Sequence, residues 1–280
     1  MILLIGGTSE TAPLAAGLAA AGYAVLVSTA TETPLAIGDH PRIARRSGRL
    51  DAEKMAALIA EKGIRAIVDA AHPYAVEAHR TAREAAARLA IPCLLFCRPA
   101  LLTPAAVPPE GGPSASGPPA GRGLPEITVA FAADHAAAAA LAFADRRPVL
   151  LTTGSRNLAP YADAARKTGI PLWVRVLDAP ESLTACREAG IPAERIIAGR
   201  GPFSVEENLA LIGRCGIGVL VSKESGRAGG LDAKLAAARL SGCRIVVIGR
   251  PSLLPSLPVF SDPADLVAAL KDLLPPGGHR

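Results

Sequence analysis

Aromatic residues are scarce in this chain of 280 residues, with five Phe, three Tyr and one Trp, and its Lys and Arg are nowhere gathered into a long tract. A nucleic-acid surface of basic residues interleaved with stacking rings therefore has no support, although the formal net charge is +5. No apolar run approaches the ~18 residues that span a bilayer. The first strand-like run already begins at Ile2, which leaves no room for the charged and apolar regions of a signal peptide. From these absences we expect a soluble, cytoplasmic protein with neither membrane nor nucleic acid as partner. The five cysteines, Cys93, Cys97, Cys186, Cys215 and Cys243, are odd in number and show no C-x-x-C spacing. They read as plain buried thiols, and no metal site is expected.

What is present is apolar: half of the residues are hydrophobic, enough for a sizeable core. The run Ile2-Leu3-Leu4-Ile5 has the character of an interior parallel strand. It ends in Gly6-Gly7-Thr8-Ser9-Glu10 before an Ala/Leu-rich helical pattern. Glycines there let a ligand approach the backbone, and the helix N-terminus offers N–H groups and a positive dipole end to an anion. The full G-x-G-x-x-G spacing is missing, so a plain strand-to-helix turn is the competing reading. The chain, however, writes this stretch twice. Gly7, Thr8 and Pro13 correspond to Gly154, Ser155 and Pro160 at a constant spacing of 147 residues, and Arg98-Pro99 corresponds to Arg250-Pro251 at a spacing of 152. This repeat predicts an α/β protein of two Rossmann-like parallel-sheet domains related by internal duplication, residues 1–147 and 148–280. Each half closes with Arg-Pro, a loop, a strand and a helix, so the terminal strands around Val129 and Val259 are candidates for exchange between the sheets. Residues 103–125, rich in Pro, Gly and Ser, read as a flexible insertion.

Along the chain, the strand Ala24-Val25-Leu26-Val27-Ser28 ends in a hydroxyl where an acidic residue would take the ribose of NAD. Ser28 is compatible with a phosphorylated ribose or with a simple loop cap. Arg45, Arg46 and Arg49 around Gly48 suit a phosphate or carboxylate, or form a solvated basic loop. Ala66-Ile67-Val68-Asp69-Ala70 delivers His72-Pro73-Tyr74 to the carboxyl end of a strand, where ligands of open α/β sheets gather; a His-Pro pair is also an ordinary turn. In the second half, Thr152-Thr153-Gly154-Ser155 makes another hydroxyl-rich turn, and Gly201-Pro202-Phe203-Ser204 precedes Glu207 at capping-box spacing. Lys223-Glu224-Ser225-Gly226, followed by Gly229, Gly230 and Lys234, combines charge, hydroxyl and backbone freedom as a ligand-binding loop does.

Taken in order, these motifs, nearly end to end, resemble the precorrin-6A reductase family of cobalamin biosynthesis, which includes the cobalt-precorrin-6A reductases. Tyr74 stands where the family commonly has Phe, and Leu101 where an aromatic often follows Arg-Pro. The resemblance implies NADPH-dependent reduction of a double bond in the precorrin-6A macrocycle, giving the dihydro product precorrin-6B, in a cleft between two Rossmann-like domains. On that basis the cofactor residues are expected to be Gly6, Gly7, Thr8, Ser28, Arg46 and Arg49. Expected substrate residues are Tyr74, Thr153, Gly154, Ser155, Gly201, Pro202, Ser225, Gly226, Gly229 and Gly230, with Lys223 or His72 supplying a proton. The competing readings are a non-catalytic two-lobed binder of a small ligand or nucleotide and a two-lobed tetrapyrrole lyase or synthase, neither of which would consume NADPH.

Overall fold

A computed structural model of the chain describes residues 1–102, 127–251 and 257–276, apart from 33, 34, 36 and 38. The insertion expected at about 103–125 lies outside the described residues. In chain order the elements are β1 (Ile2–Ile5), α1 (Thr11–Ala20), β2 (Val25–Thr29), β3 (Ile43–Ser47), α2 (Ala52–Lys62), β4 (Ala66–Asp69), α3 (Val76–Arg88) and β5 (Cys93–Phe96). There follow β6 (Val129–Ala132), α4 (His135–Ala144), β7 (Val149–Leu151), α5 (Ala159–Thr168), β8 (Leu172–Val176), α6 (Pro180–Glu188) and β9 (Ile196–Ala198). The chain closes with α7 (Val205–Cys215), β10 (Val219–Lys223), α8 (Leu231–Ser241), β11 (Arg244–Ile248), β12 (Val259–Phe260) and α9 (Pro263–Leu273).

Two compact units result, residues 1–99 with 251–280 and residues 100–250. The first holds a six-stranded sheet in the order β12-β5-β4-β1-β2-β3, the second one in the order β6-β11-β10-β7-β8-β9. All pairings are parallel. The exchange of terminal strands is realised: Val129 pairs with Ile245 in the second sheet, and Val259 pairs with Leu95 in the first.

A boundary at 147/148 therefore does not divide the chain as it folds. The outermost strand at one edge of each sheet comes from the other half of the sequence, β12 pairing with β5 in the first and β6 with β11 in the second. The helix after β12 follows its strand. Leu266 and Leu270 of α9 are fully buried with Leu14, Leu18 and Leu94 in the first unit's core. Each such leucine contributes about 1.5–3 kcal/mol by leaving water.

Local signals set most helix ends. Asp51, Asp134 and Asp262 accept N–H groups at the starts of α2, α4 and α9. Ser204 and Glu207 form the expected capping box on α7. The helices α1 and α8 begin without a side-chain cap, and their first-turn N–H groups turn to backbone carbonyls, Thr11 N to Thr8 O and Leu231 N to Gly226 O. Among the described residues no helix is long and apolar enough to cross a membrane. All five cysteines are free thiols.

Candidate active site

Strand order reverses between β1 and β4 in the first sheet and between β7 and β10 in the second. A sheet of this kind opens a crevice at such a switch point, outside the carboxyl ends of its strands. The motif loops stand there: Gly6–Thr8 after β1, Ala70–Tyr74 after β4, Thr152–Ser155 after β7 and Lys223–Gly230 after β10.

In the first unit the turn is built on Thr11. Its Oγ1, fully buried, accepts the N–H groups of Gly7 (3.0 Å) and Thr8 (3.3 Å). A Cβ on Gly6 would stand 2.6 Å from Thr11 Cγ2, so glycine is required by contact. Gly7 has φ +121°, and a Cβ there would project into open space. Thr8 donates its hydroxyl to Ala70 O at 3.2 Å, linking the turns after β1 and β4. Glu10, at the mouth of α1, pairs with Arg98 at 2.8 Å. Burial opposes ionisation of its carboxyl, but the hydroxyl of Thr8 and the charge of Arg98 prevail and hold its pKa low.

Beside this turn, Arg46 donates to Ser28 Oγ (2.8 Å), Gly48 O (2.8 Å) and Ser47 O (2.6 Å). Among the described residues three of its five N–H donors are thus used. Arg45 and Arg46 belong to the strand β3, where the sequence suggested a loop. The polar run is tolerated because β3 is an edge strand of the first sheet. Arg49 is exposed and makes no hydrogen bond to Ser28 or Arg46, so the structure does not join it to that pair.

His72 accepts the Tyr74 N–H at Nδ1 (3.3 Å), and their rings lie 5.6 Å apart. The loop is held from beneath by a pair that sequence reasoning missed. Asp69, 1% exposed, meets His79 Nδ1 at 2.7 Å and accepts the Ala71 N–H at 3.1 Å. The other nitrogen of His79 lies 3.2 Å from His72 O. Both partners of the ring are oxygens that only accept, so full satisfaction requires the imidazolium. Burial favours the neutral ring, yet the hydrogen bond and charge of Asp69 prevail and raise its pKa.

A raised folded-state pKa means that His79 contributes stability fully below its unfolded value of about 6.5, and that this is lost as pH rises through the folded value. The urea midpoint of the wild type should exceed that of His79→Gln most at mildly acid pH, with the gap closing as pH rises. A gap independent of pH would contradict the charged pair. A carboxylate ending an apolar strand, as in Ala66-Ile67-Val68-Asp69, was the available signal, because a buried acid demands a partner.

In the second unit Thr152 Oγ1 donates to Val221 O (2.8 Å), and Ser155 Oγ to Ser182 Oγ (3.4 Å). Gly154 has φ +84°, and the Thr153 hydroxyl is buried without a hydrogen-bond partner among the described residues. Lys223 ends β10, and its pKa is lowered by burial and by the charge of Arg156. Nearby is His135, whose Nδ1 lies 3.0 Å from the hydroxyl of the fully buried Tyr161. Burial and Lys223 push the His135 pKa down to about 4, so its ring is neutral at neutral pH. The lysine stands in a cationic setting suited to an acidic ligand.

Glu224, buried, accepts Leu101 N at 2.7 Å and a hydrogen bond from Arg250 Nε, and so pins both stretches on which the chain enters and leaves this unit. Beyond it, Ser225 packs against Gly229. Gly226 adopts φ 68°, ψ −174° and Gly230 φ 69°, and Gly230 faces Pro202 with its absent Cβ 3.5 Å from the ring. Gly201 lies under the Phe203 ring. The structure thus joins Gly6, Gly7 and Thr8 to the β4 loop, Ser28 to Arg46, and Ser225, Gly226, Gly229, Gly230 and Pro202 to one another.

Together these features define a class, an α/β protein of two Rossmann-like parallel sheets whose polar, glycine-rich loops gather at the switch point of each. A family model described as "Precorrin-6x reductase CbiJ/CobK" matches residues 1–271. A cobalt-precorrin-6A reductase of Priestia megaterium is 33% identical over 254 residues, covering 90% of this chain and 91% of that protein. A precorrin-6A reductase of Rhodococcus erythropolis is 33% identical over 273 residues, covering 95% and 96%. The solved structure of CobK precorrin-6A reductase matches with a TM-score of 0.72 at 25% identity, over 97% of this chain and 96% of that one. The chain belongs to the precorrin-6x reductase family, a family of oxidoreductases of cobalamin biosynthesis.

Proposed function

We propose that the chain is the cytoplasmic enzyme that reduces one double bond of precorrin-6A to give precorrin-6B, with NADPH as the reductant. The observation that carries this reading is that the family's motifs, scattered through the sequence, all fall at the carboxyl ends of two parallel sheets. The first unit suits the dinucleotide. The Gly6–Thr8 turn leaves open space beside Gly7 for a phosphate to approach, and the Ser28–Arg46 pair suits a ribose phosphate. NADPH, when bound, supplies a hydride to one carbon of the double bond.

The chain's own residues hold the ring and deliver the proton to the other atom of that bond. Lys223 Nζ is favoured as the donor, since burial and Arg156 make its ammonium a stronger acid than an exposed lysine. The His72 loop, braced by His79 and Asp69, orients its imidazole and Tyr74 toward ligand. The loops Thr153–Ser155, Gly201–Pro202 and Ser225–Gly230 take the tetrapyrrole, whose many carboxylates suit the cationic setting of Lys223 and Arg156.

The test is anaerobic turnover: nicotinamide absorbance should fall on adding precorrin-6A and stay constant without it. Product formed without NADPH would instead identify a lyase or synthase. For Arg46→Met, the KM for NADPH should rise roughly tenfold to a hundredfold, the loss of hydrogen bonds to a charged group worth about 1.5–3 kcal/mol. The KM for NADH should hardly change. Equal effects on both would remove Arg46 from the ribose phosphate.

A further inference from the structure

Resting on that reading, we propose that Arg175 and Lys234 form a carboxylate-binding site in the second unit that grips one acidic side chain of the substrate. Arg175 lies in β8 and is 6% exposed. Its guanidinium stacks 4.1 Å above the Phe203 ring and donates through Nη1 to Asn208 Oδ1 at 2.9 Å. Asn208 is fixed in that orientation, because its amide nitrogen donates to Ser204 O (2.6 Å) and Phe203 O (3.3 Å). The other terminal nitrogen of Arg175, Nη2, is buried and has no hydrogen-bond partner among the described residues.

Lys234, on the first turn of α8, is 8% exposed, and its ammonium donates to Gly229 O at 3.2 Å. It lies close enough to Arg175 that burial and that neighbouring charge lower its pKa to about 8. Among the described residues no carboxylate pairs with either cation. The acids that act on them, Glu207 and Asp232, are both exposed, and Glu207 is committed to the Ser204 N–H at 2.7 Å in the capping box.

Two buried like charges without a counter-ion are costly to a fold. They persist most economically where a ligand supplies the missing charge. A buried guanidinium nitrogen without a partner and a neighbouring ammonium offer N–H donors to the two oxygens of one carboxylate. A phosphate would bring more acceptors than these donors satisfy, against the apolar face of Phe203. The site lies where the β9–α7 and β10–α8 loops meet, at Pro202 and Gly230. Gly201, Pro202 and Gly229 thus gain a reason for their place among the ligand loops: they frame this pair.

The experiment uses the full chain and its Lys234→Met and Arg175→Gln variants. In low salt without ligand, Lys234→Met should melt at or above the wild-type temperature, since it removes an uncompensated charge; a lower Tm would make the lysine structural and overturn the proposal. Sodium propionate, set against sodium chloride at equal ionic strength, should raise the Tm of the wild type and of neither variant. Protection by inorganic phosphate but not by propionate, or no protection at all, would overturn the carboxylate assignment.

In turnover, both variants should raise the KM for precorrin-6A about tenfold, the effect of losing about 1.4 kcal/mol. The KM for NADPH serves as the internal control, and equal rises in both would count against the site. Propionate protection needs no turnover. If it persists while NADPH is not consumed, the anion site stands and the proposed reaction falls.

Discussion

Gly229→Ala is expected to lower kcat/KM for the tetrapyrrole by more than about a hundredfold, while the affinity for NADPH stays near that of the wild type. A Cβ on residue 229 would lie 2.1 Å from Ser225 Oγ and 2.2 Å from Ser225 Cβ. Rotating the hydroxyl relieves only the first of these overlaps, because the second involves the root of the side chain. Ser225 has little room to retreat, being buried with its N–H bonded to Lys223 O at 2.8 Å. The backbone between them is equally constrained. Gly229 N and Leu231 N both donate to Gly226 O, and Gly226 holds a φ that side chains avoid. Overpacking of this kind costs about 1–3 kcal/mol and is relieved by moving backbone. Here the moved backbone is the loop that carries Lys223, Ser225 and the Gly229 carbonyl facing Lys234. Binding and positioning of substrate should therefore fail together, and thermal unfolding should show a lower Tm. Near-normal kcat/KM would mean that this loop does not touch the reacting ring.

The second large effect is expected for Lys223→Ala. Removing a positioned proton donor lowers turnover by about 10²–10⁴-fold, and the loss should fall on kcat, with the KM for NADPH little changed. The wild-type lysine titrates below its ordinary range through burial and Arg156. The alkaline limb of the kcat profile should thus lie below that of an exposed lysine, and in Lys223→Arg it should vanish from the accessible range. Turnover unchanged by Lys223→Ala would leave the His72 loop as the source of the proton.

The fold was legible where local chemistry dictated it. Four aliphatics followed by two glycines marked β1 and its turn, Asp51 and Gly63 bracketed α2, and Ser204 with Glu207 announced α7. The internal echo of Arg98-Pro99 in Arg250-Pro251 pointed to the exchange of β6 and β12. The domain boundary was misplaced all the same, because sequence order cannot say to which edge a strand returns.

Of the site, the backbone-determined part was legible, since only glycine tolerates Thr11 behind Gly6 or Ser225 behind Gly229. The side-chain pairs were not. Asp69 with His79, His135 with Tyr161, and Arg175 with Asn208 are ten or more residues apart and meet only when helices pack on the sheets. A charge inside an apolar strand run, Asp69 in β4 and Arg175 in β8, was the one clue each left in the sequence.

The most direct test follows the hydrogen itself. NADPH deuterated at the transferable C4 position is given to the enzyme with precorrin-6A in the absence of oxygen, and the product is weighed by mass spectrometry. The expected result is a dihydro product that carries one deuterium, with an equal amount of NADP⁺ formed. A product without the label, or one formed while the nicotinamide is unconsumed, would contradict hydride transfer from a nucleotide to the macrocycle.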